Sequence, residues 1–312
     1  MNRFAKQLTL LAIAEIAIYL SVLLAIGFRG WLIIPLIVIL IVNARLMIVL
    51  STFAIAWFKR AQRPPDMRIN WIQTLQLIGL ELWAMLVLFS GLHLLEPWLG
   101  TRAPSTKQSG IPILFIHGFF SNGAYWWAMH RYLRKQHVTH LFTLNLSAIF
   151  TDIDTFAEEV QQRVELICAT TGSPKVILVG HSMGGLIARA YFYRHGGRER
   201  VAKIITLGSP HQGTFLAYLM GGTNVRQMRL RNPWLSQLNA LPSPPIPITS
   251  IYSYHDDFIV PQEGSILAGS KNLAVAGVGH LAMSFSKKFQ KLVTQEILEM
   301  GDTLTNNEDK LS

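Results

Sequence analysis

The chain has 312 residues, of which 50% are hydrophobic and only 15% are charged, and its mean hydropathy is +0.31. These values exclude an ordinary soluble enzyme and indicate membrane segments. The formal net charge is +10, but the basic excess is shared equally by residues 1–104 and residues 105–312. It therefore does not indicate a nucleic-acid-binding surface, and no nucleic-acid partner is expected. Cys168 is the single cysteine, which excludes an intrachain disulfide.

Three apolar runs predict a transmembrane module over residues 1–99. Each run is long enough to cross the ~30 Å hydrocarbon layer at ~1.5 Å per residue of helix. The first run is longer than the core of a typical signal peptide, and two more follow it, so a cleaved signal is not favoured. The predicted spans lie at about 8–28, 31–58 and 72–98.

The charges in the loops predict the orientation of this module. Lysine and arginine concentrate at the N-terminus and between the second and third runs, whereas only Arg29 separates the first two runs. The positive-inside rule places the N-terminus and the second loop in the cytoplasm. Three crossings then put everything after residue 100 on the other side. The prediction is a multi-pass inner-membrane protein whose larger domain is periplasmic or extracytoplasmic.

Three charged residues, Glu15, Arg45 and Glu81, lie within the predicted spans. An unpaired charge in the hydrocarbon costs at least ~2.5 kcal/mol. One interpretation is that Arg45 pairs with one or both glutamates and holds the three helices together. The alternative is that each side chain extends towards the interface.

Beyond a polar linker at 100–110, strand-like and helix-like segments alternate. Several strands are apolar on both faces, which is typical of a mostly parallel sheet flanked by helices. The sequence thus predicts an α/β domain over 111–300, followed by a polar tail at 301–312. The predicted strands are 111–116, 141–146, 175–179, 203–207, 246–252 and 272–276, and the predicted helices are 124–135, 153–170, 183–194 and 285–300.

The residues Gly180 to Gly184 read G-x-S-x-G and lie between a predicted strand and a predicted helix. At such a turn the backbone is too tight for a Cβ at either glycine, and the strained apex presents the serine oxygen to a substrate. The amides at the start of the following helix point towards the same place. Ser182 is therefore the candidate nucleophile.

A serine nucleophile needs a base, and the base needs a partner that orients it. The strand-like run at 246–252 leads into Asp256 and Asp257, and the run at 272–276 leads to His280. We assign His280 as general base and acid. Either aspartate could orient it, and the other could cap the turn.

Two backbone amides are candidates for binding an oxyanion. One belongs to Met183, directly after the nucleophile. The other belongs to Phe119, where Gly118 allows the chain to bend after the first strand of the domain. The aromatic residues that follow predict an apolar wall for an acyl chain, although part of this cluster could instead be core. The candidate pocket residues are Phe120, Tyr125 and Trp126.

Together these motifs resemble the bacterial lipase and esterase branch of the α/β-hydrolase superfamily. The element Gly208 to Thr214, which reads G-S-P-H-Q-G-T, resembles lipases more than the superfamily at large. In this family the acid often lies in a D-x-x-V-P setting, which favours Asp257 over Asp256. The resemblance implies an α/β-hydrolase fold and ester hydrolysis through an acyl-enzyme, without a redox or nucleotide cofactor. No cluster of His, Cys, Asp and Glu residues in the sequence has the spacing of metal ligands, so no metal site is assigned.

In this fold, an insertion at the position of residues 212–246 commonly caps the active site, so we expect a lid there. The resulting prediction is a membrane-anchored serine ester hydrolase that acts on lipid-like or apolar esters, with the bilayer as its other partner. Two alternatives stay open. The acyl-enzyme could be discharged to an alcohol, as in an acyltransferase, or the domain could be a non-catalytic binding module on a membrane anchor.

Overall fold

A computed structural model describes residues 3–60, 62–99 and 110–308. Its centre is a six-stranded sheet with the order β2-β1-β3-β4-β5-β6, in which all neighbouring strands are parallel. The predicted fold class, a mostly parallel sheet flanked by helices, is confirmed, and each predicted strand overlaps an observed one. The strands are β1 Ile113–Ile116, β2 Leu141–Leu144, β3 Val176–His181, β4 Val201–Leu207, β5 Ile248–Ser253 and β6 Lys271–Val275.

Helices cover both faces of the sheet because the strands are apolar on both faces. In β1, Leu114 and Ile116 belong to one hydrophobic cluster, and Ile113 and Phe115 belong to another. Alternate side chains of a strand point to opposite faces, so these clusters form two cores, one on each side. The helices are α1 Arg3–Ala25, α2 Ile33–Lys59, α3 Trp71–Val87, α4 Glu96–Leu99, α5 Trp127–Lys135, α6 Ile153–Thr171, α7 Met183–Arg194, α8 Gly197–Arg200, α9 Thr223–Gln227, α10 Pro233–Asn239 and α11 Lys287–Glu308.

The boundaries differ from the predicted ones mainly at the C-terminus. The helix α11 begins two residues later than predicted and continues through much of the predicted polar tail at 301–312. The residues 309–312 lie outside the described part of the chain, as do residues 100–109 of the predicted linker. The predicted helix at 124–135 begins as a 3-10 turn over Gly123–Trp126.

The first three helices are long and apolar enough to cross a membrane. The third, α3, continues as a π-helical turn over Leu88–Leu92. It also packs on the α/β domain, because Ala84, Leu88 and Leu92 share a core cluster with Phe115 of β1. The three helices are thus not packed as a separate module, and α3 contributes to the core on one side of the sheet.

The C-terminal half of α2 also lies against the α/β domain. Its residues Val49, Thr52 and Ala56 are buried. The loop that follows α2 makes contact as well, since Arg63 Nε donates a hydrogen bond of 3.0 Å to the carbonyl oxygen of Tyr254. The predicted topology separates this loop from the α/β domain by the width of a bilayer, and the structure brings the two together.

The charged residues of the helices have different partners. Arg45 donates to both carboxylate oxygens of Glu15, at 2.9 and 2.6 Å. Glu81 instead accepts backbone N–H bonds from Leu281 and Ala282, at 2.6 and 3.1 Å. Arg45 therefore pairs with one of the two glutamates, as the pairing hypothesis allowed, and this ion pair joins α1 to α2 rather than all three helices. Glu81 instead joins α3 to the α/β domain.

Candidate active site

Ser182 lies at the apex of a sharp turn between β3 and α7. Its backbone has φ 54° and ψ −125°, a conformation that costs free energy for a residue with a side chain. A Cβ at Gly180 would lie 2.6 Å from the carbonyl carbon of Gly184, which explains why glycine is needed there. The N–H of Ser182 donates to the carbonyl oxygen of Leu207 at 2.9 Å, and this bond attaches the turn to β4.

Asp256 is the aspartate that contacts the His280 ring. The distance from His280 Nδ1 to Asp256 Oδ2 is 2.9 Å. The other Asp256 oxygen accepts the N–H groups of Phe258 and Ile259, both at 2.8 Å, so this residue also caps the turn. The expectation that Asp257 orients His280 is wrong. Asp256 caps the turn with one oxygen, and its second oxygen then faces the His280 ring.

The contact with Asp256 favours the tautomer of His280 that carries its proton on Nδ1. With the proton on Nδ1 and donated to Asp256, the lone pair of Nε2 is available to accept another proton. Ser182 and His280 line the same cavity. No hydrogen bond joins these two side chains within the described residues, and such bonds commonly tighten only when substrate binds.

Asp257 is a buried carboxyl with two other partners. Its Oδ1 accepts the backbone N–H of His280 at 3.0 Å, and its Oδ2 accepts the hydroxyl of Thr52 at 2.7 Å. Burial, followed by the negative charge of Asp256, raises the pKa of Asp257 to about 6. Asp257 therefore positions the loop that carries His280 and connects it to α2.

This raised pKa predicts how Asp257→Asn changes stability with pH. The carboxyl binds its proton more tightly in the folded state than in the unfolded state, where its pKa is about 3.9. Its contribution to the free energy of unfolding therefore declines as the pH rises from about 4 to about 6. In thermal unfolding of detergent-purified protein, we expect the Tm of the variant minus that of the wild type to rise by about 3 °C or more between pH 4 and pH 7. A difference that is constant with pH would contradict this assignment.

The loop after β1 approaches Ser182 closely. A Cβ at Gly118 would lie 2.8 Å from Cβ of Ser182. His117 holds this loop, since its Nε2 accepts the N–H of Leu146 at 3.2 Å and its Nδ1 is 2.9 Å from the carbonyl oxygen of Gly118. Burial lowers the pKa of His117 to about 4, so the ring is neutral at pH 7 and Nδ1 carries the proton. The backbone amide of Phe119 comes directly after Gly118 in this loop.

The motif G-S-P-H supports the turn at Ser182 rather than the chemistry. Ser209 packs against Gly185, where a Cβ would lie 2.8 Å from the Ser209 Cβ. His211 is fully buried, and its Nε2 lies 3.0 Å from Thr206 Oγ1 on β4. The signal that pointed most clearly to the family is thus a set of packing contacts behind Ser182.

A largely apolar cavity of about 620 Å³ leads to Ser182 and His280. Two of the three predicted pocket residues, Phe120 and Tyr125, line it. The expectation for Trp126 is wrong. Its side chain is fully buried against Phe115, with ring centroids 5.0 Å apart, so it belongs to the core.

His181 also lies at this cavity. Its ring stacks on Tyr125 with centroids 4.2 Å apart. Its Nε2 is 3.1 Å from the carbonyl oxygen of His280. This contact joins the turn at Ser182 to the loop that carries His280.

The predicted lid at 212–246 covers the cavity only in part. Its first half lines the cavity through residues such as Leu216 and Met220. Its second half does not, because α10 lies beside α7, where Arg189 Nη2 donates to the carbonyl oxygen of Leu238 at 3.3 Å.

Sequence reasoning missed the remaining wall, which comes from the N-terminal helices. The cavity is lined by one face of α1 and by part of α2 and α3. A signal was present in α2, where the polar residues Arg45 and Thr52 are seven positions apart and so lie on the same face of the helix. The residues from these three helices are Leu8, Leu11, Ala12, Glu15, Arg45, Ile48, Met85, Leu88 and Phe89.

Comparison with known proteins gives a consistent result. Residues 111–253 match the family model for the alpha/beta hydrolase fold. A triacylglycerol lipase of Burkholderia plantarii is 29% identical over 147 residues, which is 43% of this chain and 40% of that protein. A triacylglycerol lipase of Pseudarthrobacter phenanthrenivorans is 32% identical over 114 residues, or 34% of this chain and 35% of that protein. The similarity therefore spans about two fifths of the length of these relatives.

A solved structure with a similar fold is the mature form of the Bacillus licheniformis lipase BlEst2. It has a TM-score of 0.50 and 18% identity, and the match covers 59% of this chain and 91% of that one. At this identity the likeness concerns the fold alone. It leaves about two fifths of the present chain unmatched.

Proposed function

We propose that this chain, an α/β-hydrolase of the lipase and esterase type, is a membrane-anchored serine hydrolase of carboxylic esters with lipid-like or other apolar acyl groups. The observation that carries the proposal is the convergence of Ser182 and His280 on one apolar cavity, with Asp256 hydrogen-bonded behind the histidine. The similarity to triacylglycerol lipases supports an ester of a fatty acid as substrate.

In the first half of the reaction, Ser182 Oγ forms a bond to the ester carbonyl carbon while His280 Nε2 takes the hydroxyl proton. The Asp256 carboxylate stabilises the imidazolium through Nδ1. When the bond to the leaving alcohol breaks, His280 returns the proton to that oxygen. Water then attacks the acyl carbon while His280 takes its proton. When the bond to Ser182 Oγ breaks, His280 returns that proton to Oγ and the carboxylic acid is released.

The negative charge of each tetrahedral intermediate needs fixed donors. We assign the backbone N–H groups of Phe119 and Met183 to this role. Met183 is the first residue of α7, whose N-terminal amides carry partial positive charge. The close approach of Gly118 to Ser182 and the hydrogen bonds of His117 support a fixed position for the Phe119 loop.

The proposal is tested with p-nitrophenyl esters from C2 to C16 and detergent-purified full-length protein. We expect turnover that a fluorophosphonate abolishes by labelling Ser182, with a preference for longer acyl groups. Ser182→Ala is the matched control, and it removes both turnover and labelling, a loss of about 10⁴-fold or more. Turnover that persists in Ser182→Ala, or a wild type that neither turns over nor labels, would rule out the serine mechanism.

A further inference from the structure

The helices α1 and α2 form a hairpin that projects from the α/β domain. Among the described residues of the hairpin, the buried ones lie at the start of α1 and in the C-terminal half of α2, as Ala5 and Ala56 do, and Leu23 near the tip is the one exception. The parts near the tip expose large apolar side chains, including Ile18, Ile26 and Ile34. The projecting part of each helix has about 17 residues and a length of roughly 25 Å, which is close to the ~30 Å of a bilayer core.

The third helix, α3, does not project from the α/β domain in this way. One side of α3 is buried in the domain, where Glu81 accepts two backbone N–H groups and Ala84 and Leu88 enter the core. A helix that crossed the bilayer would surround these contacts with lipid, and the loop that carries His280 would then lie within the hydrocarbon. The length and hydropathy of α3 therefore do not make it a third span.

Both open ends of the hairpin lie on the α/β domain. At the start of α1, the ring of Phe4 packs edge-on against Phe120, with centroids 5.3 Å apart. At the end of α2, the ammonium of Lys59 lies 5.0 Å from the centroid of the Phe215 ring. The basic N-terminus, the basic loop after α2 and the domain thus share one side of the membrane, which the positive-inside rule makes the cytoplasmic side.

The cavity extends from Ser182 along this hairpin. Leu8, Leu11 and Ala12 line it from α1, and Ile48 lines it from α2. On α2, Ile48 is one turn further into the hairpin than Thr52, whose hydroxyl contacts the active-site loop. The wall of the active site is therefore continuous with the helices that we place in the bilayer.

We propose that α1 and α2 alone cross the membrane, as a hairpin, and that the cavity opens between them so that an acyl chain of a membrane lipid passes from the bilayer to Ser182 without entering water. This proposal rests on the proposed ester hydrolysis and specifies the source of its substrate. It replaces the three-span arrangement that the apolar runs suggested, and it places the catalytic domain on the cytoplasmic face.

The topology is tested by labelling single cysteines in the full chain, after the only native cysteine is removed by Cys168→Ser. We introduce Phe28→Cys at the hairpin tip, Asp66→Cys in the loop after α2 and Thr170→Cys on α6, all at exposed positions. With an impermeant maleimide on intact cells, we expect labelling of position 28 only. Positions 66 and 170 react after the membrane is opened. Labelling of 66 and 170 from opposite sides would overturn the hairpin.

The entry route is tested in phosphatidylcholine nanodiscs with Ile48→Trp, which fills the cavity between the helices. We expect hydrolysis of bilayer-dissolved p-nitrophenyl palmitate to fall at least tenfold, while hydrolysis of the water-soluble acetate stays within about twofold. Val38→Trp is the matched control, because Val38 is exposed on α2 and does not line the cavity. It leaves both rates unchanged.

The outcomes separate this proposal from the proposed function. A wild type that hydrolyses neither ester contradicts the serine hydrolase itself. A wild type that hydrolyses acetate but not palmitate overturns the lipid route alone. The lipid route is also overturned if Ile48→Trp leaves the palmitate rate unchanged or lowers both rates equally.

Discussion

Asp256→Asn lowers kcat for p-nitrophenyl esters by about 10⁴-fold, whereas Asp257→Asn lowers it by less than about tenfold. Asparagine at position 256 still caps the turn through its oxygen, but an amide that faces His280 Nδ1 no longer favours the tautomer with the proton on that nitrogen. The loss is then similar to that of a serine hydrolase whose orienting aspartate is replaced by asparagine, about 10⁴.

Asparagine at position 257 preserves both contacts of the native carboxyl. Its oxygen accepts the N–H of His280, and its amide donates to the Thr52 hydroxyl, which can turn to the carbonyl oxygen of Val49 at 2.9 Å. Steady-state kinetics of the two variants against the wild type, with thermal unfolding as a check on folding, measures the difference. Equal losses in both variants, or the larger loss in Asp257→Asn, would return the orienting role to Asp257.

The contrast between these two aspartates shows what the sequence could predict. The sharp turn at Ser182 could be predicted from local sequence, since its glycines and the flanking strand and helix are all adjacent in the chain. His280 follows from the order of the strands. The choice between Asp256 and Asp257 depends on which carboxyl caps the turn, and two consecutive aspartates carry no local signal for that.

The arrangement of the N-terminal helices was harder to predict for a different reason. Hydropathy indicates whether the side chains of a helix avoid water. The apolar side chains of α3 avoid water in a protein core as well as they would in lipid. The loop charges predicted that the two basic segments lie on the same side of the membrane. The loop charges carried no information about whether α3 crosses the membrane. Thr52 and Glu81 do carry such information, but their hydrogen-bond partners are more than 190 positions away in the chain.

The domain from residue 110 onwards, produced without the N-terminal helices, is expected to be aggregated and inactive. Without α3, the core on one side of the sheet loses Ala84, Leu88 and Leu92. Each leucine contributes about 1.5–3 kcal/mol by burial, and each N–H group that Glu81 no longer satisfies costs about 1–3 kcal/mol. Together these losses are comparable to the whole stability of a typical domain, about 5–15 kcal/mol.

Size-exclusion chromatography and C4 ester turnover of the fragment, beside the full chain in the same detergent, test this expectation. Co-expression of residues 1–109 as a separate chain is the matched control. Because the helices act through packing and hydrogen bonds rather than through the peptide link, we expect the second chain to restore soluble, active protein. A fragment that is monodisperse and active by itself would show that the helices are an anchor only. Dependence on the helices would mean that the hairpin and α3 build the active site together with the sheet.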